Sequence, residues 1–221
     1  MKKLLSALFI ASTAVIMAQP KGKDPKMAPT LTPGYYCNLK GDTIKGEVQS
    51  NPIGGEADFY KGFNFKAKGP GKVVAISPKK AKCYGFDGRN FVLMPLEDAE
   101  VYVEYLSKGR LCFYEYKFDG QVMGQPGIES IYFIQDTKAD QASAELREMK
   151  RLNPKFYKKE IKPYLKDQIA TWENLDKFTF RKEQVANSVN EFNSYYPSAS
   201  ASTKSDVEVE KVGDTPKEET E

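Results

Sequence analysis

Two carboxylates held a few ångströms apart can hydrolyse a glycosidic or peptide bond with no other catalytic group. In this 221-residue chain the acids near turns or within strand-like runs are Asp42, Asp87, Glu104 and Asp119. Asp42, Asp87 and Asp119 each stand beside a glycine, a position where Asp is favoured because its side chain hydrogen-bonds the local backbone. Turn chemistry is therefore expected of them, and a histidine-free hydrolase of glycans or peptides, working through two acids or a Ser-Lys pair, is the alternative. The chain contains no histidine, which removes the usual general base, the usual zinc ligand and any Ser-His-Asp or Cys-His arrangement. No Asp-x-Asp-x-Asp loop points to calcium. Gly54-Gly55 and Gly69-Pro70-Gly71 lack the Lys-Ser/Thr and the following helix of a phosphate loop. No residue is assigned as catalytic, cofactor-binding or metal-ligating, and no cofactor is expected.

Binding chemistry is better represented. Between Arg147 and Lys166 eight basic residues face two acids, a local charge of +6, with Phe156, Tyr157 and Tyr164 interleaved. Lysines alternating with apolar residues at helical spacing imply a solvated face opposite a packed one. The alternatives are contact with an anionic envelope component, contact with an acidic partner, or pairing with the chain's own acidic end. Tyr35, Tyr36, Tyr102, Tyr105, Tyr114 and Tyr116 lie in strand-like runs, where alternate side chains face opposite ways. An aromatic-lined core is the commoner cause, and outward-facing tyrosines suited to protein or carbohydrate contact are the functional one. The candidate partner contacts are thus Tyr102, Tyr105, Tyr114, Tyr116, Lys155, Lys158, Lys159 and Lys162.

The elements that must position these residues follow from the two ends and the hydrophobic period. Lys2 and Lys3, an apolar run from Leu4 to Met17, and Ala18 have the layout of a signal peptide over 1–18, so an exported protein is expected, periplasmic or associated with the outer membrane. The run is shorter than the roughly twenty residues a membrane span needs. A Lys- and Pro-rich flexible leader is expected over 19–32. From 197 to 221 the chain is Ser-, Lys- and Glu-rich with a charge of −4, too poor in large apolar residues to offset its ordering entropy. The whole chain carries only +3, which speaks against a nucleic-acid partner; peripheral contact with a membrane is a further option. Cys37, Cys83 and Cys112 are an odd set: three buried thiols acting as small hydrophobes are expected, with one disulfide and one remaining thiol as the alternative.

Short aromatic and β-branched runs flank turn residues repeatedly between 33 and 136. They are Gly34–Leu39 and Thr43–Val48 around Gly41-Asp42, Phe59–Phe65 and Val73–Ile76 around Gly69-Pro70-Gly71, and Cys83–Phe86 and Phe91–Met94 around Asp87-Gly88. Val101–Leu106 and Leu111–Phe118 flank Ser107-Lys108-Gly109, and Ile131–Ile134 follows a Gly- and Pro-containing loop. This grammar predicts an antiparallel sheet closed or half-closed into a small barrel or roll. From 137 to 196 the period lengthens to that of a helix. Ala142, Leu146, Met149 and Leu152 make a first stripe, Phe156, Tyr157, Ile161, Tyr164 and Leu165 a second broken at Pro163, and Val185, Val189 and Phe192 a third. The fold expected is α+β, a β-rich part over 33–136 followed by about three C-terminal helices packed on the sheet.

Gly41-Asp42-Thr43-Ile44-Lys45-Gly46, Tyr84-Gly85-Phe86-Asp87-Gly88-Arg89 and the hairpin from Glu104 to Tyr114 occur in that order. Together they resemble an uncharacterised family of exported Bacteroidetes proteins with a GDTIKG-type and a LxxGxxxLY-type hairpin, over about Pro33 to Tyr196. The resemblance implies an envelope location and a sheet-then-helix order, and transfers no site residues. The function expected is a non-enzymatic envelope protein that binds another protein, such as an accessory subunit of an outer-membrane assembly. A small-ligand-binding barrel is a third reading.

Overall fold

Residues 28–139 and 145–196 are described by the computed structural model; the stretch expected to be a signal peptide, most of the expected leader, Ala142 and the acidic end lie outside them. Ten antiparallel strands form one sheet in the order β10-β9-β8-β7-β6-β5-β1-β2-β3-β4. They are β1 (Leu31–Asn38), β2 (Thr43–Gln49), β3 (Phe63–Ala67), β4 (Val74–Ile76), β5 (Ala81–Phe86), β6 (Arg89–Leu96), β7 (Ala99–Ser107), β8 (Leu111–Val122), β9 (Gln125–Asp136) and β10 (Lys150–Leu152). Three helices follow, α1 (Tyr157–Ile161), α2 (Ile169–Glu173) and α3 (Lys182–Tyr195). The α+β class and the sheet-then-helix order expected from the sequence are both present.

The sheet does not close, but its β1–β5 half curls strongly. β3 and β5 are three strand spacings apart in the sheet, roughly 14 Å if it were flat, yet the rings of Phe63 and Tyr84 stack with centroids 4.0 Å apart. Phe59, Phe65, Phe86, Phe91 and Tyr102 join them in one buried cluster. The space inside the curl is therefore filled with rings. Gly34 and Gly46, cross-strand partners in β1 and β2, permit the close approach. A Cβ on Gly34 would stand 2.5 Å from the Gly85 carbonyl oxygen and 2.9 Å from Val48. Gly34→Ala is expected to cost about 2 kcal/mol through overpacking, read as a lower denaturant midpoint; an unchanged midpoint would show that the strands relax.

The central strands carry two apolar faces. On one, Leu111, Phe113, Ile134 and Leu152 pack against Tyr157, Ile161, Leu175, Val185, Val189 and Phe192, so the helices cover this face. Asn193 of α3 accepts from the Leu111 amide at 2.9 Å and donates to the Leu111 carbonyl at 2.8 Å, which pins α3 to the start of β8. On the other face Met94, Val101, Val103, Cys112, Tyr114 and Phe133 form a second cluster.

The structure corrects several expectations. Residues 56–60, read partly as strand, form a 3₁₀ helix, Glu56–Tyr60, opened by Gly55 at φ 86°. Leu31 and Thr32 of the expected leader belong to β1. Leu146, Met149 and Leu152 do not share an α-helix: residues 145–147 form a single 3₁₀ turn and Lys150–Leu152 pair with Tyr132–Ile134 as β10, because the open edge of β9 supplies backbone partners and the approach to Pro154 disfavours helix. Helix α2 falls where none was expected. Cys37 and Cys83, register partners on β1 and β5, are joined as a disulfide, and only Cys112 is the buried thiol foreseen for all three.

Candidate functional site

The four acids singled out for hydrolysis go to separate places. Asp42 accepts from Asn38 in the β1–β2 turn, and Asp87 is the first residue of the β5–β6 turn at φ 48°. Asp119 pairs with Lys61 at 2.7 Å. Glu104 is buried and fully engaged. Its carboxylate accepts from Arg89 at 2.6 and 2.8 Å and from the Tyr60 hydroxyl at 2.9 Å.

Arg89 is the first link of a chain of alternating charge. Its guanidinium reaches Glu56 at 2.6 Å, Lys117 reaches Glu56 at 3.1 Å and Glu115 at 3.7 Å, and Lys182 at the start of α3 reaches Glu115 at 3.0 Å. The rings of Phe59 and Phe91 lie 5.0 and 4.9 Å from the Arg89 guanidinium carbon. Burial pushes the Tyr60 hydroxyl far above its ordinary range, and the Glu104 and Glu115 charges push it further. Burial would raise the Glu56 carboxyl, but the bonds from Arg89 and Lys117 outweigh it and hold it below its ordinary value. Three acids alternating with three cations tie the sheet to the 3₁₀ helix and to α3.

The tyrosines divide. Tyr102 is wholly buried inside the curl, where its hydroxyl donates to the Ala81 carbonyl at 3.0 Å, and Tyr114 is 2 % exposed, donating to Gln135 at 2.9 Å. These two are core residues, which corrects their reading as partner contacts: in both, the second sheet face is covered. Tyr105 and Tyr116 are half-buried on the face that carries Tyr114.

From Tyr116 onward that face runs onto a projecting arm. β8 pairs with β7 only from Phe113 to Glu115, but with β9 through Val122. Tyr60 fills the gap where β8 leaves β7, its ring edge-on to both Phe91 and Tyr116. Met123 and Gly124, at φ 53° and 77°, turn the arm. At its tip Val122, Met123 and Ile128 are 47 %, 98 % and 41 % exposed. The arm was expected to be a loop after Phe118, and nothing in the sequence reading singled out Met123.

The lysines converge. Lys155, Lys158, Lys159 and Lys162 line a cleft of about 390 Å³ together with Phe156, Tyr157, Trp172 and Lys177. Lys158 and Lys162, one helical turn apart, place their ammonium groups 4.8 and 4.6 Å from the Trp172 ring centroid. Lys158 also donates to the Glu173 carbonyl at 3.2 Å and to that of Leu175, and the Trp172 indole donates to the Lys158 carbonyl at 2.7 Å. Among the described residues no carboxylate lies within ion-pair distance of Lys155, Lys159, Lys162 or Lys177. Asp176 is occupied by the amides of Phe178 and Thr179, which hold its carboxyl below the ordinary range. Trp172 and Lys177 were missed from sequence; the signal was the position of the single tryptophan six residues beyond Lys166, the end of the basic run.

Comparison with known proteins finds no match to a family model, a curated protein or a solved structure.

Proposed function

We propose that this chain is a non-enzymatic, exported cell-envelope protein that binds another protein, as an accessory subunit of an outer-membrane assembly. The observation that carries the reading is the β8–β9 arm: a two-stranded projection whose tip exposes Val122, Met123 and Ile128 and whose base continues into the half-buried Tyr105 and Tyr116. Val122 lies on the face that carries Tyr116 and Ile128 on the opposite one; exposed apolar groups on both faces of a projecting hairpin suit a protein partner that takes up its end, and the arm's outer edges offer backbone groups for strand addition. Neutralisation of Glu56, Glu104 and Glu115 by Arg89, Lys117 and Lys182 favours binding over hydrolysis. Export is supported by the Cys37–Cys83 pairing, which persists in oxidising compartments, by the signal-like first eighteen residues, and by the resemblance of the hairpins to exported Bacteroidetes proteins.

The test is affinity purification of the chain from detergent-solubilised envelopes of its own cells, wild type against Val122→Asp/Met123→Asp. The wild type is expected to bring a stoichiometric envelope protein that the arm variant loses while keeping its circular dichroism spectrum. A lone monomer in both, or a partner retained by the arm variant, overturns the assignment.

A further inference from the structure

The helical lobe concentrates cations far beyond the chain as a whole. Between Lys150 and Lys182 ten Lys and Arg residues face four Asp and Glu, whereas the full chain carries +3. Large apolar side chains stand in the open on the same lobe. Phe156, which lines the lysine cleft, is 59 % exposed, and Phe178, the chain neighbour of the lining Lys177, is 94 % exposed. Phe178 is held out by the turn in which Asp176 accepts from the Phe178 amide at 2.7 Å and the Thr179 amide at 3.0 Å. The Tyr157 hydroxyl fastens that turn to α1 through the carbonyls of Asp176 and Thr179.

From this placement we infer that the α1–α2 face is a membrane-docking surface: its lysines take the phosphate headgroups of an anionic bilayer, and Phe156 and Phe178 insert among them. A rigid acidic protein would need sockets shaped to two projecting rings. A bilayer interface receives such rings wherever they fall, and it supplies the density of anionic groups that four lysines without ion pairs call for. Trp172, partly buried between Lys158 and Lys162, is an amphipathic ring of the kind that favours the headgroup layer. The inference is independent of the protein-partner reading, since it uses a different surface from the β8–β9 arm.

The single tryptophan makes the surface its own reporter. The chain is mixed with phosphatidylcholine vesicles with and without phosphatidylglycerol, and co-sedimentation and Trp172 quenching by brominated lipid are recorded. The chain begins at Gln19, the form that the export reading leaves, so the apolar run Leu4–Met17 adds no membrane affinity of its own. Binding to anionic vesicles is expected to be tighter than to neutral ones, to weaken with salt, and to quench Trp172. Lys159→Gln/Lys162→Gln/Lys177→Gln is expected to weaken anionic binding by about 100-fold, near a factor of five per lysine, whereas the three Lys→Arg changes preserve it. Phe156→Ser/Phe178→Ser is expected to cost about tenfold and to reduce the quenching. Equal binding to neutral and anionic vesicles overturns the proposal, as does binding indifferent to both sets of substitutions. If glycerol phosphate in solution shifts Trp172 emission as far as vesicles do, and the Phe variant binds like wild type, the cleft reads a soluble anion and the proposal likewise fails.

Discussion

Replacing Cys37 and Cys83 together by alanine is expected to lower the free energy of unfolding by about 4 kcal/mol. The bond joins residues 46 apart in sequence, and in the chain-entropy account a closed loop of that length removes about this much freedom from the unfolded chain. The loss is large against the roughly 5–15 kcal/mol that holds a domain of this kind together. Position makes the bond structurally consequential. Cys37 and Cys83 face each other across β1 and β5, the contact that joins the β1–β4 hairpins to the β5–β10 meander in the sheet order. Urea unfolding with and without reductant measures the effect: reductant shifts the wild-type midpoint down to that of the double variant and leaves the double variant unmoved. Equal wild-type midpoints in the two conditions would show that the bond adds nothing. Cys112, buried and free, is expected to react with a thiol reagent only as the chain unfolds, on the same denaturant scale.

How far the sequence foretold this arrangement depends on how local the determining chemistry was. Asp87-Gly88 announces its hairpin because both residues adopt positive φ and both are suited to it. Met123-Gly124 makes the same kind of turn, but Met is a poor advertisement for it, and Gly120, Pro126 and Gly127 around it read as loop. In the folded arm Gly120 and Gly127 are cross-strand partners, and the Glu129 and Val122 side chains lie where their Cβ atoms would be. The glycines there serve cross-strand packing. The helical stripe at Val185, Val189 and Phe192 appears intact in α3 because it is long enough to carry its own period. The stripe through Leu146, Met149 and Leu152 was overruled by the free edge of β9, a partner 16 residues or more away that no local window contains. Site residues follow the same division. The lysines were visible as a charge run, but that they gather around Trp172 depends on the return of the chain through α2. Tyr102 and Tyr114 were indistinguishable from Tyr105 and Tyr116 by alternation alone, because Tyr102 is buried by the curl and Tyr114 by its own cluster on the face away from the helices.

The charge chain across the sheet leads to the second large effect, at Glu115. Its side chain is 2 % exposed and accepts from Lys182 at 3.0 Å, Ser130 at 2.9 Å and Tyr132 at 3.2 Å, with the Lys117 ammonium 3.7 Å away. An ion pair with its carboxylate this deep is worth little compared with a well-packed apolar replacement, because Glu115 was stripped of water to form it while Lys182 keeps about a third of its side chain in solvent. Removing one partner is a different matter, since the other is left desolvated and unbalanced. Glu115→Ala leaves two ammonium groups without their shared acceptor and two hydroxyls without theirs, and is expected to cost about 3–5 kcal/mol. Adding Lys182→Met should return part of that loss, because the Lys182 stem packs while its unmatched charge is gone. A denaturant-based double-mutant cycle separates the two contributions. Coupling well above 1 kcal/mol would mark the Glu115–Lys182 pair as the clasp between β8 and the start of α3. Additive losses would instead place the clasp in the apolar contacts of Val185, Val189 and Phe192, with the ion pair merely tolerated between them.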